Sequence, residues 1–286
     1  GPTVTVSGAS LQPGRWYAVL GNGNAASVAI EIRADVAFDG GELPVYRGHW
    51  YPGPGARSGR GYEYNWGAGD RAFIWYDYDE SGQPTWYYAG GPATGTNIWV
   101  ADLHRLSNDG AEQQLTVVGT VSVTNLAEDE QLFSFTLFGQ SGTDRMTPLA
   151  AQTCPQVDGV EQSYTGHWYP GRAGLGGATV VVNAATQAQI HYLFDAAGVP
   201  RWLVAQDSAA NGSPTDRELP MLQVSLYCSV CTPAERASTV VGLLTRDFSS
   251  ETTGSWTLDY VLEPPLVGSV LRTDQIVKLT TTTDCQ

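Results

Sequence analysis

The residues in this sequence best able to do chemistry are aromatic rings set beside a carboxylate. Phe73, Trp75 and Asp77 alternate along one strand-like run, and Tyr87 follows across a short turn. On a face open to solvent, such rings can stack on the apolar C–H surface of a sugar while the acid bonds to its hydroxyls. These four residues are therefore the expected ligand-binding set. The competing reading places Trp75 in the core or against a neighbouring module, where most strand tryptophans lie.

Other chemistry finds less support. Paired carboxylates for glycoside hydrolysis would be drawn from Asp77, Asp79 and Glu63, but their separation is spatial and unreadable in a sequence. There is no His-Glu-x-x-His, no Gly-x-Ser-x-Gly and no phosphate loop. Asp77-Tyr-Asp79-Glu80-Ser-Gly82 opens like a calcium loop, yet the twelfth position holds Tyr88 instead of a bidentate acid, which favours a plain hairpin turn. His49 and His167 each precede a tryptophan and read as turn-stabilising side chains. No catalytic residue, metal or cofactor is expected.

The four cysteines all fall in the second half. Pairing Cys154 with Cys285 would staple the ends of a module, and Cys228 would then pair locally with Cys231; closing the long loop restricts the unfolded chain. A single four-thiolate zinc site is the alternative, but structural zinc usually takes two close pairs and only one is present. Disulfides favour an oxidising compartment, so an extracellular or cell-surface location is expected.

The elements that must position these residues come as a duplication. Tyr46-Arg-Gly48-His49-Trp50-Tyr51-Pro52-Gly53 returns as Tyr164-Thr-Gly166-His167-Trp168-Tyr169-Pro170-Gly171. The run from Ile74 to Trp86 returns from Ile190 to Trp202, and Val118-Gly119 returns as Val241-Gly242. Short β-branched and aromatic runs alternate in polarity between Gly, Pro, Asn and Asp clusters, which predicts antiparallel strands and an all-β fold. The loops Asp79 to Gly82 and Asp195 to Gly198 have hairpin chemistry. We expect two tandem antiparallel β-barrel or β-sandwich modules, the barrel preferred, at residues 46–150 and 151–286, with 1–45 a β extension or degenerate repeat. Aligning the copies separates two faces. Ile74, Tyr76 and Tyr78 match Ile190, Tyr192 and Phe194 and read as core. Phe73, Trp75 and Asp77 match Gln189, His191 and Leu193 and read as the solvent face. Trp50, Trp168, Trp86 and Trp202 read as core or corner residues.

The formal net charge of −14, from 29 acidic against 15 basic residues, sets like charge against a polyphosphate, so nucleic acid is not an expected partner. No apolar run reaches the roughly 18 residues of a membrane helix, and no signal segment opens the sequence, which predicts a soluble mature form or a fragment. A secreted binding or attachment protein with a polysaccharide or cell-surface glycan as partner is expected; the alternatives are a structural or assembly protein of the cell surface or a filament, whose partners are other protein chains, and a glycan-active hydrolase.

The residues also resemble a family of repeat modules in secreted bacterial proteins. Gly48-His-Trp50-Tyr51-Pro52, Ser58-Gly59-Arg60-Gly61, and Trp75-Tyr-Asp-Tyr78-Asp79 through Trp86 follow its Gly-x-Trp-Tyr, Ser-Gly-x-Gly and Trp-x-x-Tyr-Asp-x-x-Gly-x-Pro-x-Trp motifs. The second copy departs from them, with Gly174 and Gly176-Gly177 in place of Ser-Gly-x-Gly and His191 where Trp75 stands. The resemblance implies a secreted, modular, non-catalytic role. Gly-x-Trp-Tyr alone is similar to avidin-type barrels, but the polar ligand-binding residues of those barrels cannot be placed.

Overall fold

A computed structural model describes residues 43, 45–53, 59–67, 69–108, 110, 112–150, 153–172, 176–208, 212–232 and 235–280. The strand-like runs expected before residue 43 lie outside these. No helix occurs among the described residues. Eight antiparallel strands close a first barrel: β1 (Gly48–Tyr51), β2 (Gly61–Gly67), β3 (Asp70–Tyr78), β4 (Pro84–Pro92), β5 (Ile98–Asn108), β6 (Gln113–Ala127), β7 (Glu130–Leu137) and β8 (Gln140–Pro148). A short ribbon of β9 (Gln156–Val157) and β10 (Val160–Glu161) precedes the second barrel. That barrel is β11 (Gly166–Tyr169), β12 (Gly177–Val182), β13 (Thr186–Phe194), β14 (Pro200–Ser208), β15 (Asp216–Ser225), β16 (Ala237–Phe248), β17 (Thr253–Val261) and β18 (Ser269–Lys278). Strands pair in sequence order, and each barrel shuts where its first strand meets its last, Trp50 opposite Pro148 and Trp168 opposite Lys278. Closure removes the exposed edges that would otherwise recruit other chains.

Local chemistry explains the shared motifs. In the β3–β4 turn the Asp79 carboxylate accepts the backbone N–H groups of Ser81 and Gln83, both at 3.0 Å, and Asp195 repeats this with Ala197 and Val199. Gly82 and Gly198 close those turns at φ of +79° and +73°, where a Cβ is strained. The calcium-like segment is thus a hairpin turn. Gly119 and Gly242 face register shifts in β5 and β15. A side chain there would strike the facing backbone carbonyl of Thr136 or Asp259.

Alternation separates two faces as expected, but their assignment is reversed. Phe73, Trp75 and Tyr87 point into the first barrel, packed with Tyr62, Trp99 and Phe133. Trp75 is 2% exposed, so the predicted solvent face is the interior. Ile74, Tyr76 and Tyr78 point outward and meet Ile190, Tyr192 and Trp202 of the second barrel in a core between the barrels. The physical reason is closure: a barrel must fill its concave side, which the first does with large rings, and the convex side of β2–β4 is covered by the partner barrel. Both sides of β3 are therefore dry from Phe73 to Tyr78.

Contacts across this junction are reciprocal. Trp86 Nε1 donates to the Leu193 carbonyl at 3.1 Å, and Trp202 Nε1 donates to the Asp77 carbonyl at 2.9 Å. Leu226 N donates to Gly82 O at 3.1 Å, and Asn108 N donates to Gly198 O at 3.0 Å. Arg201 joins the two hairpin turns, with Nη1 2.7 Å from Asp79 and Nε 2.9 Å from Asp195. Trp86 and Trp202 thus belong to the junction, whereas Trp50 and Trp168 are barrel core.

Candidate functional site

The expected set does not form an open platform. Phe73, Trp75 and Tyr87 are buried as described, and Asp77 lies at the mouth of the first barrel, sealed by the second. Its Oδ1 is 3.4 Å from Arg60 Nε, and its Oδ2 accepts the Ser229 N–H at 3.3 Å. Burial pushes the carboxyl up to about 6, although Arg60 pulls in the other direction. Ser229 belongs to the Cys228–Cys231 disulfide turn, which is formed as expected. Val230 of that turn packs on the first barrel's core, and Arg60 lies 4.6 Å over the Tyr227 ring while donating to the Tyr227 carbonyl. The turn is a plug. Cys154 is disulfide-bonded, and its expected partner Cys285 lies outside the described residues.

The most concentrated polar chemistry lies instead where the barrels meet. Glu63 points outward from β2 and is 1% exposed. Its Oε1 accepts Asn65 Nδ2 at 2.7 Å, and its Oε2 accepts Thr179 Oγ1 at 2.5 Å and His167 Nδ1 at 2.7 Å. Burial raises this carboxyl, but the neighbouring imidazole and the three hydrogen bonds outweigh it and hold the group below the usual glutamate range. The acid is ionised, so Nδ1 of His167 is the donor. The other face of the imidazole reaches the Tyr192 hydroxyl through Nε2, and the two rings stack at 5.3 Å. Tyr76 OH lies 2.6 Å from Thr179 Oγ1. His49, the counterpart of His167, stacks on Tyr76 at 5.4 Å, and burial draws it down to about 4, so it is neutral. His167 therefore reaches across the junction and His49 backs Tyr76 from within its own barrel, so stacking and the Glu63 contact are what the two side chains show in place of the expected turn-stabilising role.

This cluster floors a groove of about 690 Å³ between the barrels. The walls include Trp66, Tyr88, Tyr169 and Phe194, and Asp70 and Arg71 stand at the rim. Trp66 is held by cations on the residues beside it, with Arg47 at 4.5 Å and Arg71 at 5.4 Å from its ring. The arrangement combines apolar ring surface, a fixed negative charge and several hydrogen-bonding groups in one concave site. Glu63 stood among the acids open to sequence reasoning, but His167, Thr179 and Trp66 did not. The one available signal was a charged residue alternating with tyrosines in Tyr62-Glu63-Tyr64. No group of three or more His, Cys, Asp or Glu side chains suited to a metal occurs among the described residues. No protein-family model, curated protein or solved structure matches the chain.

Proposed function

We propose that the chain is a secreted, non-catalytic binding protein that takes a glycan into the groove between its two barrels. One observation carries this reading: ring surfaces of Trp66, Tyr88 and Tyr169 line the same concavity as the Glu63–His167 pair. Sugars are recognised by that combination, C–H faces on aromatic rings and hydroxyls on charged or amide groups. The proposal moves the recognition surface from the first module alone to the junction, which needs both. The disulfide turn supports the extracellular assignment, because such bonds persist in oxidising compartments. A printed glycan array followed by calorimetry tests the reading. Trp66→Ala, which removes groove wall and only a partly buried ring at the edge of the first barrel's core, is expected to weaken binding about tenfold, in line with about 1 kcal/mol or more for a ring contact, while the fold is checked by its urea midpoint. Absence of any retained glycan, or unchanged affinity in Trp66→Ala, rejects it.

A further inference from the structure

The interior of the second barrel contains a feature the first lacks. Matching cross-strand positions place Tyr62, Tyr64, Phe73 and Trp75 in the first barrel where Ala178, Val180, Gln189 and His191 stand in the second. Smaller and polar groups thus replace four large rings. At the position of Val123, counted from the paired glycines 119 and 242, the second barrel carries Arg246.

Arg246 is fully buried. Its Nη2 donates to Gln187 Oε1 at 2.5 Å and to the Pro214 carbonyl at 3.0 Å, and its Nη1 reaches Gln189 Oε1 at 3.4 Å. The guanidinium lies 4.6 Å over the Phe248 ring. Every one of these partners is neutral. The neighbouring cations have acids of their own, Arg217 with Asp207 at 2.6 Å and Arg272 with Asp274 at 2.7 Å. Burial, and after it Arg217, draws Arg246 down to about 9. It nevertheless remains charged at neutral pH. Its Nε hydrogen has no acceptor, and neither Gln189 Nε2 nor His191 Nε2 has a partner. Gln189 and His191 project from the same side of β13, so orphaned polar atoms and an uncompensated positive charge share one interior. An eight-stranded barrel has an interior wide enough to hold one small ligand where side chains do not fill it.

We propose that the interior of the second barrel binds a small monovalent anion, held by Arg246 together with Gln189 and His191. The anion supplies the charge the guanidinium lacks and acceptors for the orphaned donors. An inorganic halide and the carboxylate of a small organic acid share this chemistry. The site is independent of the groove between the barrels.

The test is thermal unfolding of the full chain at constant ionic strength, with the bulky sulfonate HEPES as the reference anion and sodium bromide, formate or acetate replacing it. A saturable rise of at least about 2 °C is expected, because a ligand bound only by the native state stabilises it by mass action. Response to bromide alone assigns a halide, and a stronger response to formate or acetate assigns a carboxylate. Arg246→Met should abolish the response, read as the change each anion makes from the variant's own midpoint in HEPES, since the apolar chain removes the buried charge. Bromide-soaked crystals should show an anomalous peak within hydrogen-bonding distance of Arg246 Nε. A midpoint indifferent to every anion, an equal response in Arg246→Met, or a response to bromide with no bromide in the barrel overturns the proposal and leaves internal water as the partner of these donors. Should Arg246→Met fail to fold, the wild-type titration and the bromide position decide between these outcomes.

Discussion

The two barrels share strand count, order and register, yet their interiors are filled by different chemistry while the faces they press together are filled by the same. Inside the first, Tyr62, Phe73, Trp75, Trp99 and Phe133 form a continuous aromatic packing. Inside the second, Gln189, His191 and Arg246 stand among aliphatic residues and a few rings, His191 against Trp256 and Arg246 over Phe248. At the junction, by contrast, Ile74, Tyr76 and Trp86 meet Ile190, Tyr192 and Trp202, one set from each copy. A closed interior answers only to itself, so a different set of side chains can fill it provided that volume and patterning are kept. A face that must fit its own counterpart is constrained from both sides. Similarity between the copies therefore marks the junction more strongly than the cores.

The sharpest way to break this contrast is to truncate matched interior positions. Trp75→Ala should cost about 3–5 kcal/mol in urea denaturation, because it opens a large void among rings. His191→Ala, at the same position of the second barrel, should cost only about 1–2 kcal/mol, since it removes a smaller ring that leaves Nε2 unpartnered. Equal losses would show that the interiors are not as different as their residues suggest.

A smaller effect probes the junction. Thr179→Val keeps the shape of the side chain but removes the hydroxyl shared by Glu63 and Tyr76, and should cost about 1–2 kcal/mol. A single cooperative transition in this variant would show that the barrels unfold as one unit. Two resolved transitions would show that the junction is weaker than either core.

The smallest effect concerns pH. His49 is held at about 4 and His191 at about 3, each by burial first, whereas both take up protons near 6.5 when unfolded. The unfolded chain then binds more protons than the native one below pH 6.5, so stability falls as pH drops from 6.5 towards 4. Asp77 acts in the opposite sense: raised to about 6, it favours the native state below its unfolded value of 3.8, and that contribution is lost as pH rises through 6. Between pH 6.5 and 5.5, His49 alone should account for a loss of about 1 kcal/mol. His49→Gln should flatten the urea-midpoint profile by that amount, and an unchanged slope would show that His49 is hydrated in the native state.

Much of the fold was legible from residue patterns. The duplicated Gly-His-Trp-Tyr strands, the Asp-to-Gly hairpin turns and the sequential antiparallel order all follow from spacing and turn chemistry, and Cys228 with Cys231 from proximity. The two faces of β3 were separable but not assignable, because alternation tells sides apart without saying what covers each. One signal pointed further. Phe73 to Tyr78 is apolar on both faces apart from Asp77, and such a run marks a strand buried on two sides. Reading one face as exposed overlooked the second barrel as a cover. The groove was illegible for a different reason: Glu63 and His167 lie 104 residues apart and meet only through the packing of one module on the other.

The pairing of Glu63 with Thr179 has a consequence for self-recognition. Glu63 sits opposite His49 in its own barrel, and Thr179 sits opposite His167 in the other, so the two occupy matching places and touch each other. Two first halves from neighbouring molecules, joined by these faces, would set carboxylate against carboxylate, and such a pair cannot stay doubly ionised in a dry contact. Two second halves would leave each His167 without its acid. Only the mixed couple gives Glu63 its hydroxyl and imidazole, so a single acid-for-hydroxyl difference disfavours the pairing of like halves and leaves the union of unlike halves as the favoured contact.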